Sequence, residues 1–349
     1  MDISKSNIEY NDDISRAKII RKVIIDHGKV LRKRHPILNH QDLLGFSACT
    51  AITVIILLSS LCYLYGYIPW WVCLIINTIC ISIAHEIEHD LIHNLYFRKN
   101  RFIHHIMMAI VWLMRPSTAS PWMRRDVHLL HHQVSGSEND VEEKFLGNGR
   151  KWGLLRILML SDLVVAAVVM MLNARSELER KKLLSFSVKA FFPFAVFYSL
   201  IWYSFLIFHS INIYSTLTET PVMWSDRTTT VMNFIDVAVV IIVGPNMLWS
   251  FCLHFISSNL HYHGDNESGN VIQETQVLNP WWLYPINLFC FNFGSTHAIH
   301  HFVVNEPFYI RQLSAPVAHR IMKEMGVRFN DFGSFSRANR WKQGQQKHE

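Results

Sequence analysis

Four stretches of this 349-residue chain are too apolar for too long to sit in an ordinary globular domain: about 43–65, 70–90, 190–213 and 234–256. At 1.5 Å rise per residue, a helix of about 20 apolar residues crosses the roughly 30 Å hydrocarbon core of a bilayer. The second stretch reaches that length only with a polar helical extension beyond Ala84, and a Gly66-Tyr67-Ile68-Pro69 turn separates it from the first. The expected fold is therefore an all-α integral membrane protein. Its four transmembrane helices form two hairpins under a cytoplasmic helical cap. Residues 1–42 read as a cytoplasmic N-terminal segment rather than a cleaved signal, 43–310 as the membrane domain, and 311–349 as a polar cytoplasmic tail.

Charge placement orients this topology. Residues 1–42, 91–189 and 257–349 carry 9, 15 and 8 Lys or Arg, while the opposite side carries Arg227 alone. That imbalance puts the first side in the cytoplasm. It also accounts for the net charge of +6 without a nucleic-acid partner. Residues 152–172 are mostly apolar, but Arg156 and Asp162 interrupt them. A charge near a helix centre costs about 2.5–3.5 kcal/mol on insertion, so this segment and 106–114 are expected to lie at the interface. The six cysteines form no C-x-x-C pair and sit mostly in apolar runs, which excludes a disulfide framework or a zinc knuckle.

Histidine is the unusual residue: there are 20, strongly clustered. His85, His89 and His93 recur every four residues where the second crossing leaves the membrane, so they form a stripe on one helix face. His128, His131 and His132 follow, and His297, His300 and His301 repeat the same H-x-x-H-H spacing 169 residues later. His261 and His263 lie just past the last crossing. Each cluster alone could be a polar helix end or a basic surface patch. The four-crossing topology, derived without the histidines, puts all of them on one side. In an H-x-x-H-H helix the adjacent pair can turn to opposite sides and serve two metals. Imidazole suits Fe, Zn, Cu and Ni alike, but eight or more histidines exceed the four ligands of a structural zinc. Acceptors for the outer ring N–H groups are sought among Glu86, Glu88, Asp90, Asp126, Asp140, Glu142 and Asp265, with Glu86, Asp90, Asp126 and Asp265 foremost.

The ordered pattern H-x-x-x-H, H-x-x-H-H, H-x-x-H-H with four crossings resembles the membrane fatty acid desaturase superfamily, which includes alkane hydroxylase-like members. The likeness covers about residues 43–310. Both His85–His89 and His89–His93 resemble the first box, and the spacing to His128 favours the second pair. His261-Tyr-His263-Gly264 resembles the further ligand some members carry, which favours His261 over His263. The resemblance implies two Fe ions, O2 as co-substrate, and a lipid or acyl substrate. It also implies a bacterial inner membrane or endoplasmic reticulum location with the site facing the cytoplasm. No cytochrome b5-like segment is present in the sequence, so electrons would come from a separate ferredoxin-, cytochrome b5- or rubredoxin-type donor. Acyl-CoA desaturases carry Asn four residues before the further ligand, whereas this chain has Ser257. Arg115, Arg124 and Arg125 could take an anionic head group, and Trp281 and Trp282 could line an acyl tunnel or lie in the interface.

Desaturation is the leading expectation, with hydroxylation by the same centre as the alternative. A bis-histidine haem protein would need paired histidines inside the crossings, where only His209 and His254 lie apart from His85 and His89 in the polar extension of the second. A metal transporter needs ligands at the bilayer midplane, and the crossings are nearly free of them.

Overall fold

The computed structural model describes residues 12–342 except 138, 175 and 268. It is all-helical: among the described residues the only β features are two isolated bridges, His261 with Thr275 and Val277 with Phe329. The helices are α1 Asp13–Arg34, α2 Gln41–Leu64, α3 Trp70–Ile92, α4 Arg101–Met114, α5 Pro121–Val134, α6 Val141–Phe145, α7 Leu154–Ser161, α8 Leu163–Leu172 and α9 Glu177–Phe191. They continue with α10 Phe194–Leu217, α11 Asp226–Ala238, α12 Gly244–Leu260, α13 Val271–Glu274, α14 Tyr284–Leu288, α15 Phe293–Phe302, α16 Phe308–Glu324 and α17 Gly333–Ser336.

Four helices are long and apolar enough to cross a membrane: α2, α3, α10 and the continuous 35-residue stretch Asp226–Leu260. That stretch joins α11 to α12 through a π-helical segment, Val239–Val243, just before the Gly244-Pro245 step. Leu57, Leu58 and Leu61 of α2, and Leu200 and Ile207 of α10, point outward, as helices solvated by lipid require. α3 differs, because its lower half is buried from Ala84 through Ile92, including five ionisable side chains.

The interrupted segment 152–172 is two short helices. They break at Asp162, whose carboxylate caps α8 by accepting from the N–H groups of Val164 and Val165. The charge that interrupts α7 is a strut. Arg156 is buried, donates to the Ser258 carbonyl at 2.9 Å and to Asn148 at 3.2 Å, and lies over the Trp152 ring.

Residues from 311 onward differ from the expected tail. α16 packs on α1 and α15, burying Ala315, Ala318 and Met322 in one cluster with Ile20 and Ile24. Farther on, Asn339 donates to the carbonyl oxygens of His261 and Ser258, fastening the chain end to the last crossing. Small and polar residues such as Ser314 and Ala315 disguise α16 as surface, although both are buried.

α15 is held at close quarters. A β-carbon on Gly294 would stand 2.4 Å from the Leu278 carbonyl oxygen, a backbone atom that cannot swing aside. Gly294→Ala is expected to displace α15 and to cost about 1–3 kcal/mol, the usual penalty of overpacking. Thermal unfolding of the detergent-solubilised protein checks this.

Candidate metal centre

Three helices with no adjacency in sequence bring their histidines to one buried place. α3 delivers His89 and His93, α5 delivers His128, His131 and His132, and α15 delivers His297, His300 and His301. His261 joins them from the residue that ends α12. The nine sort into two groups. His89, His93, His128, His132 and His300 form one, and His131, His261, His297 and His301 the other, with one ring nitrogen of each member within 4.8 Å of the rest of its group. The adjacent pairs divide as a two-ion site requires: His131 and His132 go to opposite groups, as do His300 and His301.

The spacing of the nitrogens is the test of fit. The Nε2 atoms of His261, His297 and His301 form a triangle with sides of 3.2, 3.2 and 3.4 Å. In the first group His132 Nε2 lies 3.1 Å from His128 Nε2 and 3.0 Å from His300 Nε2. Three neutral rings cannot satisfy a closed triangle with hydrogen bonds, because each offers one donor in total and here turns it outward or inward, not both. Nitrogens held about 2.1 Å from one ion lie about 3.0–3.4 Å apart, between octahedral and tetrahedral angles. His89 supports the same reading: it is buried and neither ring nitrogen has a hydrogen-bond partner among the described residues.

The outer nitrogens are braced. His131 Nδ1 meets Asp140 at 2.8 Å, His128 Nδ1 meets Glu142 at 3.0 Å, and His301 Nδ1 meets Glu274 at 3.0 Å. His261 Nδ1 donates to the Ser257 carbonyl at 3.0 Å with Glu143 at 3.1 Å. Such contacts aim Nε2 inward and raise its basicity. His300 is the exception. Arg311 donates to its Nδ1 at 2.9 Å and pairs with Glu86 at 3.0 Å and Asp90 at 3.1 Å.

Burial, then the cationic neighbour Arg311, pulls the His93 imidazole down to about 3, so its ring is neutral at pH 7. Burial, then His131, does the same to His301, also to about 3. His131 goes the other way. Burial pulls it down, but its hydrogen bond to Asp140 and that carboxylate's charge outweigh burial and lift it to about 10. A metal at Nε2 would displace one proton and keep the Nδ1–H bond to Asp140. Glu274→Gln removes the charge behind His301 with little change of shape. It is expected to weaken metal binding by roughly 10–100-fold, measured by competition with a chelator.

The remaining residues singled out in the sequence fall elsewhere. His85 lies outside both groups, its ring 5.5 Å from Trp249 and 5.7 Å from Phe293. His263 also lies outside them, its backbone N–H on the Asn339 carbonyl. Asp126 does not reach a ring nitrogen. It is exposed, because two residues before His128 on a helix is about 200° around the axis. Asp265 instead accepts the backbone N–H groups of Trp341 and Lys342. Glu86 and Asp90 act through Arg311 rather than on a ring directly. Arg115 and Arg124 both pair with Glu88 beside a cavity, whereas Arg125 donates to Asn94 away from it. Trp281 and Trp282 are 77% and 46% exposed and do not line that cavity. Glu143, Glu274 and Arg311 were missed. Glu143 follows Glu142 directly and could have been included, but Glu274 and Arg311 stand 11 and 10 residues from the nearest histidine candidates upstream, His263 and His301, with no local pattern to flag them.

The cavity, of about 200 Å³, runs from His89, His131 and His297 to an apolar wall that includes Phe145, Leu160, Phe191 and Trp202.

The family model described as fatty acid desaturase matches residues 65–333, a span that takes in every one of the nine histidines. Neither the curated proteins nor the solved structures include a match at the level of significance applied.

Proposed function

The chain belongs to the fatty acid desaturase family, and on that premise we propose that it is a membrane di-iron enzyme using O2 to desaturate the acyl chain of a lipid. The family acts on fatty acyl chains, is iron-dependent and is membrane-bound. The division of nine histidines into adjacent sets of five and four carries the two-metal reading. We take His89, His93, His128, His132 and His300 as ligands of one iron and His131, His261, His297 and His301 as ligands of the other. The crossings are proposed to form two hairpins, with the histidines at their cytoplasmic mouth, in a bacterial inner membrane or the endoplasmic reticulum. The concentration of Lys and Arg on that side supports this orientation.

The overall reaction balances as –CH2–CH2– plus O2, two electrons and two protons giving –CH=CH– and two waters. A pair of irons, when bound, supplies the redox capacity that no side chain has. The protein's own groups do the rest. Apart from His300, whose Nδ1 accepts from Arg311 and whose Nε2 proton a metal would have to displace, the imidazoles would hold the centre without adding charge, and Asp140, Glu142, Glu143 and Glu274 would fix the tautomers of His131, His128, His261 and His301 and offset the charge of bound metal. The apolar cavity excludes water from the reacting carbon and sets the chain's register. The electrons are assigned to a separate ferredoxin-, cytochrome b5- or rubredoxin-type carrier.

Hydroxylation would use the same residues and differ in one step: capture of an oxygen atom instead of loss of a second hydrogen. Mass spectrometry of lipids from cells expressing the protein separates the two. Products lacking two hydrogens support desaturation. Products gaining one oxygen, with no unsaturated product, would replace it with hydroxylation.

A further inference from the structure

Three buried polar side chains with unpartnered atoms meet at one corner of the cavity that reaches the histidines. Trp249 is fully buried, and its indole N–H has no partner among the described residues. The His85 ring stands 5.5 Å from it, also buried, with neither nitrogen bonded. Arg115 also lies on the Trp249 ring, its guanidinium 4.4 Å from the ring centre, 1% exposed and with Nε unpartnered among the described residues. All three line the cavity. Buried polar groups are nearly always hydrogen-bonded, so three in one place, all able to donate, mark the seat of an acceptor.

The acceptor's charge follows from the surroundings. Arg115 and Arg124 share a single buried carboxylate, that of Glu88. The other carboxylates of the cavity wall are engaged elsewhere, Glu142 with His128, Glu143 with His261 and Asp162 with the start of α8, so at this corner two guanidiniums face one carboxylate and an incoming anion is favoured. Trp249 and Arg115 are donors only, so they favour a carboxylate over a hydroxyl.

We propose that His85, Trp249 and Arg115 form an internal subsite for the carboxylate of a free fatty acid, which enters the cavity with its charged end. The inference rests on the reading of the protein as an acyl-chain oxidase. It assigns His85 to substrate rather than to metal. The His85 ring lies 6.2 Å from that of His89, so the carboxylate end sits beside the metal ligands rather than at the protein surface.

Equilibrium binding to the full-length, iron-loaded protein in detergent, without O2 or reductant, tests this. Palmitate, methyl palmitate and hexadecane compete against a fluorescent acyl probe. Palmitate is expected to bind most tightly. Trp249→Phe keeps the ring and removes only the N–H, so it should weaken palmitate roughly tenfold, as loss of one hydrogen bond to a charged group does. Hexadecane should be unaffected. His85→Phe should weaken palmitate and leave iron content unchanged. The proposal is overturned if methyl palmitate or hexadecane binds as well as palmitate, if Trp249→Phe weakens all three alike or none, or if His85→Phe loses iron. Iron content and lipid oxidation, measured on the same preparations, test the enzymatic reading separately. Failure of the subsite therefore leaves a distinct signature from failure of the oxidase.

Discussion

Alanine at His131 or at His300 is expected to abolish lipid oxidation, down to background, while the protein still accumulates in the membrane fraction. The two residues belong to different groups, so under the proposed two-iron reading each variant would remove a ligand from a different ion. His300 Nε2 stands 3.0 Å from His132 Nε2, within the first group. His131 is the only member of its group supplied by α5, and the other three come from α15 and the end of α12. Each substitution should lower iron content, and the crossings, which do not depend on these rings, should remain inserted. His105→Ala is the matched control. His105 is exposed and bonds only the Trp122 indole among the described contacts, so iron and activity should both survive its loss.

Arg311→Met is expected to give the largest loss of stability. Arg311 is 2% exposed and holds Glu86 and Asp90, which are 3% and 0% exposed, in the interior of the bundle. Removing the guanidinium leaves two buried carboxylates facing each other without a cation, and breaking a buried pair from one side costs about 3–5 kcal/mol. Folded domains have about 5–15 kcal/mol in reserve, so the variant should accumulate poorly and unfold at markedly lower temperature. Arg311→Lys keeps the charge and loses the fork that spans Glu86, Asp90 and His300, so it should fall between the two. Fluorescence-detected size-exclusion after a temperature series measures all three. An Arg311→Met protein as stable as its parent would show that the carboxylates share a proton instead.

The crossings were legible because a bilayer imposes a length and a composition that few other environments demand. The same physics kept 152–172 out of the count, since Asp162 cannot be hidden at the centre of a span, and the structure breaks the helix there. The histidine clusters were legible because side chains that meet on one helix face must recur at three or four residues. That periodicity could not choose between His85 and His93. Both share a face with His89, and the choice depends on how far α3 reaches past α5, a tertiary quantity. Asp126 could have been set aside by counting turns, whereas Asp265 is claimed by the chain end, 76 residues later. Glu274 and Arg311 come from segments whose sequence carries no metal-site pattern, and only packing brings them to His301 and His300. α16 was misread as tail for a similar reason. Its buried face mixes Ile310 and Met322 with the small Ser314, Ala315 and Ala318, so its apolar pattern is far weaker than that of a crossing.

Iron determination on the purified protein, by plasma mass spectrometry against quantitative amino-acid analysis, tests the central claim most directly. The proposed centre requires close to two irons per chain, falling after His131→Ala and after His300→Ala. One tightly held zinc per chain, unchanged by either substitution, would mean that the paired histidine groups do not form a di-iron site.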